Sequence, residues 1–302
     1  MQDTYVEVNG VKLHCVTAGP GAGGGSGSGP MMMFLHGFPE FWYGWKGQLE
    51  EFGKDHLVVA PDMRGYNLSE KPAEVEAYQA PALLEDIRGL ADHYRGGKKF
   101  ILVAHDWGGA LAWGFAMAHP EYLEKLIILN APHPATFRNL LESDAGQQAA
   151  SQYMLLFRSP QAEAMLAADN YALLVQIVLG PLLASGAMTE VDKAEYLKAW
   201  SQPGALTGGL NYYRANRVGP PVPGADAGNG VMEMALGEGQ MVVRVPTLVI
   251  WGDQDIALTV KNLEGLEKYV PDLTVKRIPD ATHWVVHEKA AQVNAYIREF
   301  IG

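Results

Sequence analysis

The chain of 302 residues has one cysteine, Cys15, which excludes an intramolecular disulfide framework and any cysteine-based structural zinc site. Basic residues are scarce: 23 Lys and Arg stand against 34 Asp and Glu, a formal charge of −11. Nucleic acids and acidic membrane surfaces need a basic footprint, so neither is expected as a partner. Charge of either sign is thin, at 19% of residues against roughly 25% in ordinary globular proteins. The apolar runs fall far short of the ~20 residues that span a bilayer. Met1-Gln2-Asp3-Thr4 shows no basic stretch leading into an apolar one, so a cytoplasmic location is expected. Apolar residues, by contrast, make up 48% of the chain, enough to bury a sizeable core in one large domain or two lobes.

Tyr5 to Val8 and Val11 to Val16 are alternating or apolar runs joined by Asn9-Gly10, a two-residue hairpin signal. Gly19 to Pro30 holds seven glycines and two serines and reads as a surface loop. It has no lysine and precedes a strand rather than a helix, so it is not a phosphate-binding loop. Short apolar runs follow at Met31–Leu35, Leu57–Ala60, Phe100–Ala104 and Leu126–Leu129, with helical patterns at Leu83–Tyr94 and Gly108–Ala118. Runs that are apolar on both faces and alternate with helices predict a parallel sheet covered on both sides. The rhythm stops at Pro132-His133-Pro134, and residues 135 to about 240 read as helical. Ser159-Pro160 is expected to start one helix there, and Thr189 with Asp192 to form a capping box for another. Gly219 to Gly230 reads as a loop leading out of this block. Strands resume at Val245–Ile250 and Leu273–Ile278, and Ala290–Ile301 closes the chain as a helix. A helical insertion of roughly 100 residues is too long to be a plain loop.

The stretch Phe100 to Gly109 carries the most information. A buried strand runs into a helix through Ala104-His105-Asp106-Trp107-Gly108-Gly109, and its small residues suit a nucleophile elbow with Asp106 at the tip. An ordinary helix-capping Asp would give the same local pattern. Two later strand ends favour the elbow. Val249–Trp251 leads into Gly252-Asp253-Gln254-Asp255, and Val275–Ile278 into Pro279-Asp280-Ala281-Thr282-His283. Ligands and catalysis collect at the C-terminal edge of such sheets. Nucleophile, acid and histidine in that order match the α/β-hydrolase fold, with Asp255 as the acid and Asp253 as the alternative. After the first parallel strand comes His36-Gly37-Phe38-Pro39-Glu40, in the loop that supplies one oxyanion-hole amide in this fold; the residue after the nucleophile supplies the other. That nominates the amides of Phe38 and Trp107.

These motifs make the chain resemble an α/β-hydrolase-fold epoxide hydrolase over nearly its whole length. His-Gly-x-Pro is met at His36–Pro39, His-Asp-Trp-Gly-Gly at His105–Gly109, the acid at Asp255 and the His-Trp pair at His283-Trp284. The resemblance implies a mostly parallel eight-stranded sheet flanked by helices, with a core of residues 1–134 and 241–302 and a helical cap at 135–240. It implies two cap tyrosines that hold the epoxide oxygen. Tyr213 matches an Asn-aromatic-Tyr-Arg segment, and Tyr153 a Tyr-x-x-x-Phe segment ahead of a proline. It further implies that His36, Pro39 and Trp107 border the substrate, a small hydrophobic epoxide. No cofactor or metal is implied, and a monomer or homodimer is expected.

The residue types suit that reaction. Serine attacking a saturated carbon would form an ether that water does not readily cleave, whereas aspartate forms an ester. A carboxylate of pKa ~3.9 is ionised at neutral pH and needs no base. His283 is then free to activate the water that cleaves the ester, with Asp255 orienting it. A haloalkane dehalogenase is the nearest rival, since a halide leaves without a proton. Haloacetate dehalogenases of this fold carry arginines where this chain has Trp107 and Ala110. A catalytically silent binding protein of the same fold would not need a complete Asp106-Asp255-His283 set.

Overall fold

The computed structural model describes residues 1–23, 30–222 and 241–302. The loops expected at Gly19–Pro30 and Gly219–Gly230 fall largely on 24–29 and 223–240, outside the described residues, as does the expected return to the core at 240. The strands are β1 (Gln2–Val8), β2 (Val11–Ala18), β3 (Met31–Leu35), β4 (Leu57–Pro61), β5 (Phe100–His105), β6 (Leu123–Leu129), β7 (Thr247–Gly252) and β8 (Leu273–Ile278). They form one sheet in the order β1-β2-β4-β3-β5-β6-β7-β8. The β1–β2 hairpin is antiparallel and β2 runs antiparallel to β4, while the pairs from β4 to β8 are parallel. β7 starts two residues later than expected, because Pro246 has no N–H to give to a ladder.

Alternation along the strands divides the core. Met31, Met33, Leu35, Leu102 and Ala104 face one apolar cluster, while Met32, Phe34, Ile101 and Val103 face the other. The first cluster is covered by α2 (Ala80–Tyr94) and α3 (Asp106–Ala118), through Leu83, Ile87, Leu111 and Phe115. The second is covered by α1 (Lys46–Phe52) and by the C-terminal helix Ala290–Ile301, through Leu49, Phe52, Val293 and Ile297.

Between β6 and β7 lie α4 (Pro134–Ser143), α5 (Ala145–Ala150), α6 (Gln152–Arg158), α7 (Ala162–Leu174), α8 (Gly180–Ser185), α9 (Glu190–Trp200) and α10 (Ala205–Ala215). The first cluster continues into these helices through Met154, Phe157, Leu166, Leu210 and Tyr213. The capping box forms at α9: Thr189 N donates to Asp192 Oδ2 at 2.7 Å, and the Asp192 amide donates to Thr189 Oγ1. Ser159 departs from expectation. It ends α6 instead of starting a helix, because the residue before a proline favours extended backbone. The helical stretch Ala162–Ser185 has 24 residues and contains an 18-residue segment of mean hydropathy 1.5, longer and more apolar than the sequence runs suggest. Three consecutive residues in the left-handed region, Asp169, Asn170 and Tyr171, interrupt it, and a π-helical turn at Val175–Leu179 follows. Its Leu166, Leu174, Val178, Leu179 and Leu182 are buried in the protein.

α9 is tied to the loop after β3. Trp200 Nε1 donates to the Pro39 carbonyl at 2.6 Å, Tyr196 Oη donates to Glu40 Oε1 at 2.8 Å, and Lys46 pairs with Asp192. One helix thereby docks on the loop that also reaches Asp106.

Candidate active site

β5 ends and α3 begins at Asp106, whose φ is +51°. Left-handed backbone is uncommon for a residue with a Cβ. Here it turns the carboxylate out at the C-terminal edge of the sheet, beside the first turn of α3, where the helix dipole favours negative charge. The turn closes only with small neighbours. A Cβ on Gly108 would lie 2.4 Å from the Leu35 carbonyl oxygen, and one on Gly37 would lie 2.2 Å from Asp106 Oδ1. The Phe38 amide donates to Asp106 Oδ1 at 2.8 Å. Among the described residues no hydrogen bond joins the Trp107 amide to that carboxylate, although Trp107 directly follows it in α3.

His283 and Asp255 come from the loops after β8 and β7. His283 Nδ1 donates to Asp255 Oδ2 at 2.7 Å, and His283 Nε2 lies 3.7 Å from Asp106 Oδ2. An ionised carboxylate only accepts, which fixes Nδ1 as the donor and turns Nε2 toward Asp106. Asp255 Oδ1 accepts from the amides of Ala257 and Leu258 at 2.8 Å each, and Oδ2 accepts from Asn130 Nδ2 at 2.8 Å. Asp253 is elsewhere, paired with the exposed Arg277 at 2.8 Å. Burial opposes charge on both members of the His283–Asp255 pair. For Asp255, the charge and hydrogen bond of His283 and the bonds from Leu258 and Asn130 outweigh burial and lower the carboxyl pKa. For His283, the carboxylates of Asp255, Asp106 and Glu40 outweigh burial and raise the imidazole pKa to about 9. At neutral pH the imidazole is therefore protonated.

Above Asp106 is a cavity lined by Trp107, Phe137, Tyr153, Met154, Tyr213 and Leu258, among others. The rings of Tyr153, on α6, and Tyr213, on α10, are 6.5 Å apart. Tyr213 stands edge-on to Trp107 at 5.0 Å. Burial first, and then the Asp106 charge, push both phenols well above their ordinary pKa. His36 and Pro39 do not line this cavity. His36 is fully buried beneath the loop, where Nε2 accepts from the Met63 amide at 3.0 Å and Nδ1 lies 2.9 Å from the Gly37 carbonyl. Pro39 turns toward α9, its carbonyl held by Trp200. Both shape the loop that presents the Phe38 amide.

Residues 30–290 match the family model described as the alpha/beta hydrolase fold. The chain is 38% identical to the AB hydrolase superfamily protein YfhM of Bacillus subtilis (strain 168), over 98% of this chain and 96% of that one. It is 32% identical to epoxide hydrolase 2 of Caenorhabditis elegans, over 99% of this chain and 79% of that one. The chain belongs to the α/β-hydrolase-fold epoxide hydrolases. The fold agrees: the crystal structure of the M145A mutant of an epoxide hydrolase from Bacillus megaterium superposes with a TM-score of 0.89, at 37% identity, with 99% of each chain covered.

Within this epoxide-hydrolase fold, several residues around the site make contacts that the motifs do not reveal. Asn130, directly after β6, bridges strand ends by accepting from the Gly252 amide at 2.8 Å and donating to Asp255. Glu40 is buried between His287 Nε2 at 2.6 Å, Tyr196 Oη and His105 Nδ1, the last 3.3 Å from Oε2. His105 Nε2 donates to the His283 carbonyl at 2.9 Å. A polar residue abutting the C-terminal end of a buried strand was the available signal for Asn130 and His105.

Proposed function

We propose that the chain converts an epoxide and water to a vicinal diol through an ester on Asp106. The observation that carries this reading is an aspartate, where related folds use serine, at a strained turn beneath a cavity lined by two phenols. Asp106 Oδ2, which faces His283 while Oδ1 is held by the Phe38 amide, attacks a ring carbon. The carbon–oxygen bond breaks, and the ring oxygen takes a proton from Tyr213 or Tyr153. Their raised pKa values keep both phenols protonated at neutral pH and so able to donate. Ester formation removes the Asp106 charge, one of those that hold the proton on His283. Once the imidazole has lost that proton to solvent, a water adds to the ester carbonyl carbon and gives a proton to His283 Nε2. The charge that develops on Oδ1 meets the Phe38 N–H, with the Trp107 N–H as the second donor; such donors contribute roughly 3 kcal/mol each. Collapse releases the diol oxygen, which recovers the proton from His283. The acid left on Asp106 loses its proton, which restores the phenol.

Residues 135–240 act as a cap on a core of 1–134 and 241–302. In support, α4 to α10 all fall between β6 and β7, and the cavity has walls from both sides, including Ala110 and Leu258 on one and Met154 and Val218 on the other. The apolar lining favours a small hydrophobic epoxide, bound without a cofactor. A departing halide needs no proton, so the two phenols favour an epoxide over a haloalkane.

The test is incubation with styrene oxide beside an Asp106→Ala control, with diol followed by chromatography. Wild-type protein should form diol and the variant none. The same samples given bromoalkanes report bromide; bromide without diol would replace this reading with dehalogenation.

A further inference from the structure

Asp255 depends on a loop that is gripped from α5. Gln147 is fully buried on that helix, and both ends of its amide are bonded. Nε2 donates to the Ala257 carbonyl at 2.8 Å and to Ser151 Oγ at 2.9 Å. Oε1 accepts from Thr259 N at 3.0 Å, Thr259 Oγ1 at 2.9 Å and Asn262 Nδ2 at 2.9 Å. Four of these five bonds reach residues 257–262, more than 100 positions away in the chain. That loop supplies the Ala257 and Leu258 amides that hold Asp255 Oδ1. The fifth bond goes to Ser151, which directly precedes α6, the helix of Tyr153. A side chain that only filled space would need neither a donor nor an acceptor here, and burying an amide without partners is costly.

We propose that Gln147 is a positioning residue that couples the cap to the catalytic acid, fixing Asp255 against His283 through the 257–262 loop while anchoring the start of the helix that carries Tyr153. It thus joins the group that opens the ring to the groups that hydrolyse the ester. The inference rests on the two-step reaction proposed above. Its physical basis is the sensitivity of a charged hydrogen bond to orientation: an Asp255 carboxylate free to rotate holds the His283 proton less tightly. The other groups facing His283 are Asp106 at 3.7 Å, the ring of His105 at 4.6 Å, and Glu40, itself bound to His287. Trp284 packs against it, and Tyr153 is close enough to sense the charges of Asp106 and Asp255. None of these groups is bonded to Gln147.

The test is an NMR titration of the His283 imidazole in the full chain, wild type against Gln147→Met, which keeps side-chain length and removes all five bonds. The midpoint should move down by roughly half a pH unit or more, and kcat for styrene oxide should fall roughly 10-fold with little change in KM. Thr259→Val, cut from the loop side, should shift the titration in the same direction, and the double variant little further. A folded Gln147→Met protein with an unmoved His283 titration would overturn the proposal, even with a lower Tm. Should that variant not fold, the Thr259→Val titration decides alone. The titration does not need turnover. A shifted midpoint in a protein that forms no diol would sink the reaction and leave the coupling standing.

Discussion

At Asp106 the backbone takes a left-handed turn that costs of order 1–3 kcal/mol for a residue with a side chain. In return one oxygen meets the Phe38 amide and the other faces His283. His283, with its pKa raised to about 9, rests as a cation among carboxylates and is no base in that state. Forming the ester removes the Asp106 charge, one of the influences that raise this pKa, so the imidazole loses its proton more readily once the ester exists. Ester hydrolysis should therefore speed up with rising pH and level off with a midpoint below about 9. Single-turnover kinetics that separate ester formation from its decay check this; a flat profile, or a midpoint at 9 or above, would contradict it. Asp106, Asp255 and His283 are legible in the sequence because each follows the C-terminal end of a strand and their order along the chain is diagnostic. Gln147 is not, since its partners in the 257–262 loop lie more than 100 positions away and nothing in local spacing reveals them; Asn130 is marked only as a polar residue directly after a strand, with its partners equally distant. His36 and Pro39 belong to a readable motif, but their side chains serve the loop and not the cavity.

The turn between β5 and α3 is the element on which the site depends, and its tolerance can be measured. Gly108→Ala sets a methyl 2.4 Å from the Leu35 carbonyl oxygen, so α3 must move away from β3. A destabilisation of about 1–3 kcal/mol is expected from denaturant unfolding. Gly47→Ala, in α1 with open space around it, should instead stabilise by about 0.5 kcal/mol. Equal effects at the two sites would show that the turn is not close-packed. Parallel strands and their covering helices are readable because continuous apolar runs and helical periodicity differ. The helices after β6 are harder. Ser159-Pro160 carries both a helix-start and a helix-stop signal, and in the fold the stop prevails. The long apolar stretch Ala162–Ser185 is masked in the sequence by Asp169 and Asn170, which sit at its left-handed break.

Across the whole molecule, two apolar layers cover one sheet, and the layer on the α3 side runs on into the inserted helices. The cavity therefore opens where the sheet's C-terminal edge, the start of α3 and helices α4, α6 and α10 meet, with the Asp106 carboxylate beneath an apolar wall. That division suits a neutral, apolar substrate attacked from below by a carboxylate and protonated from above by a phenol. The reaction proposed for this arrangement sends the oxygens along one route. With enzyme in excess over styrene oxide, in water labelled with heavy oxygen, the first diol formed should carry no label, and the peptide containing Asp106 should gain one heavy oxygen by mass spectrometry. Label in that first diol, with Asp106 unlabelled, would mean that water attacks the epoxide directly and that no ester forms.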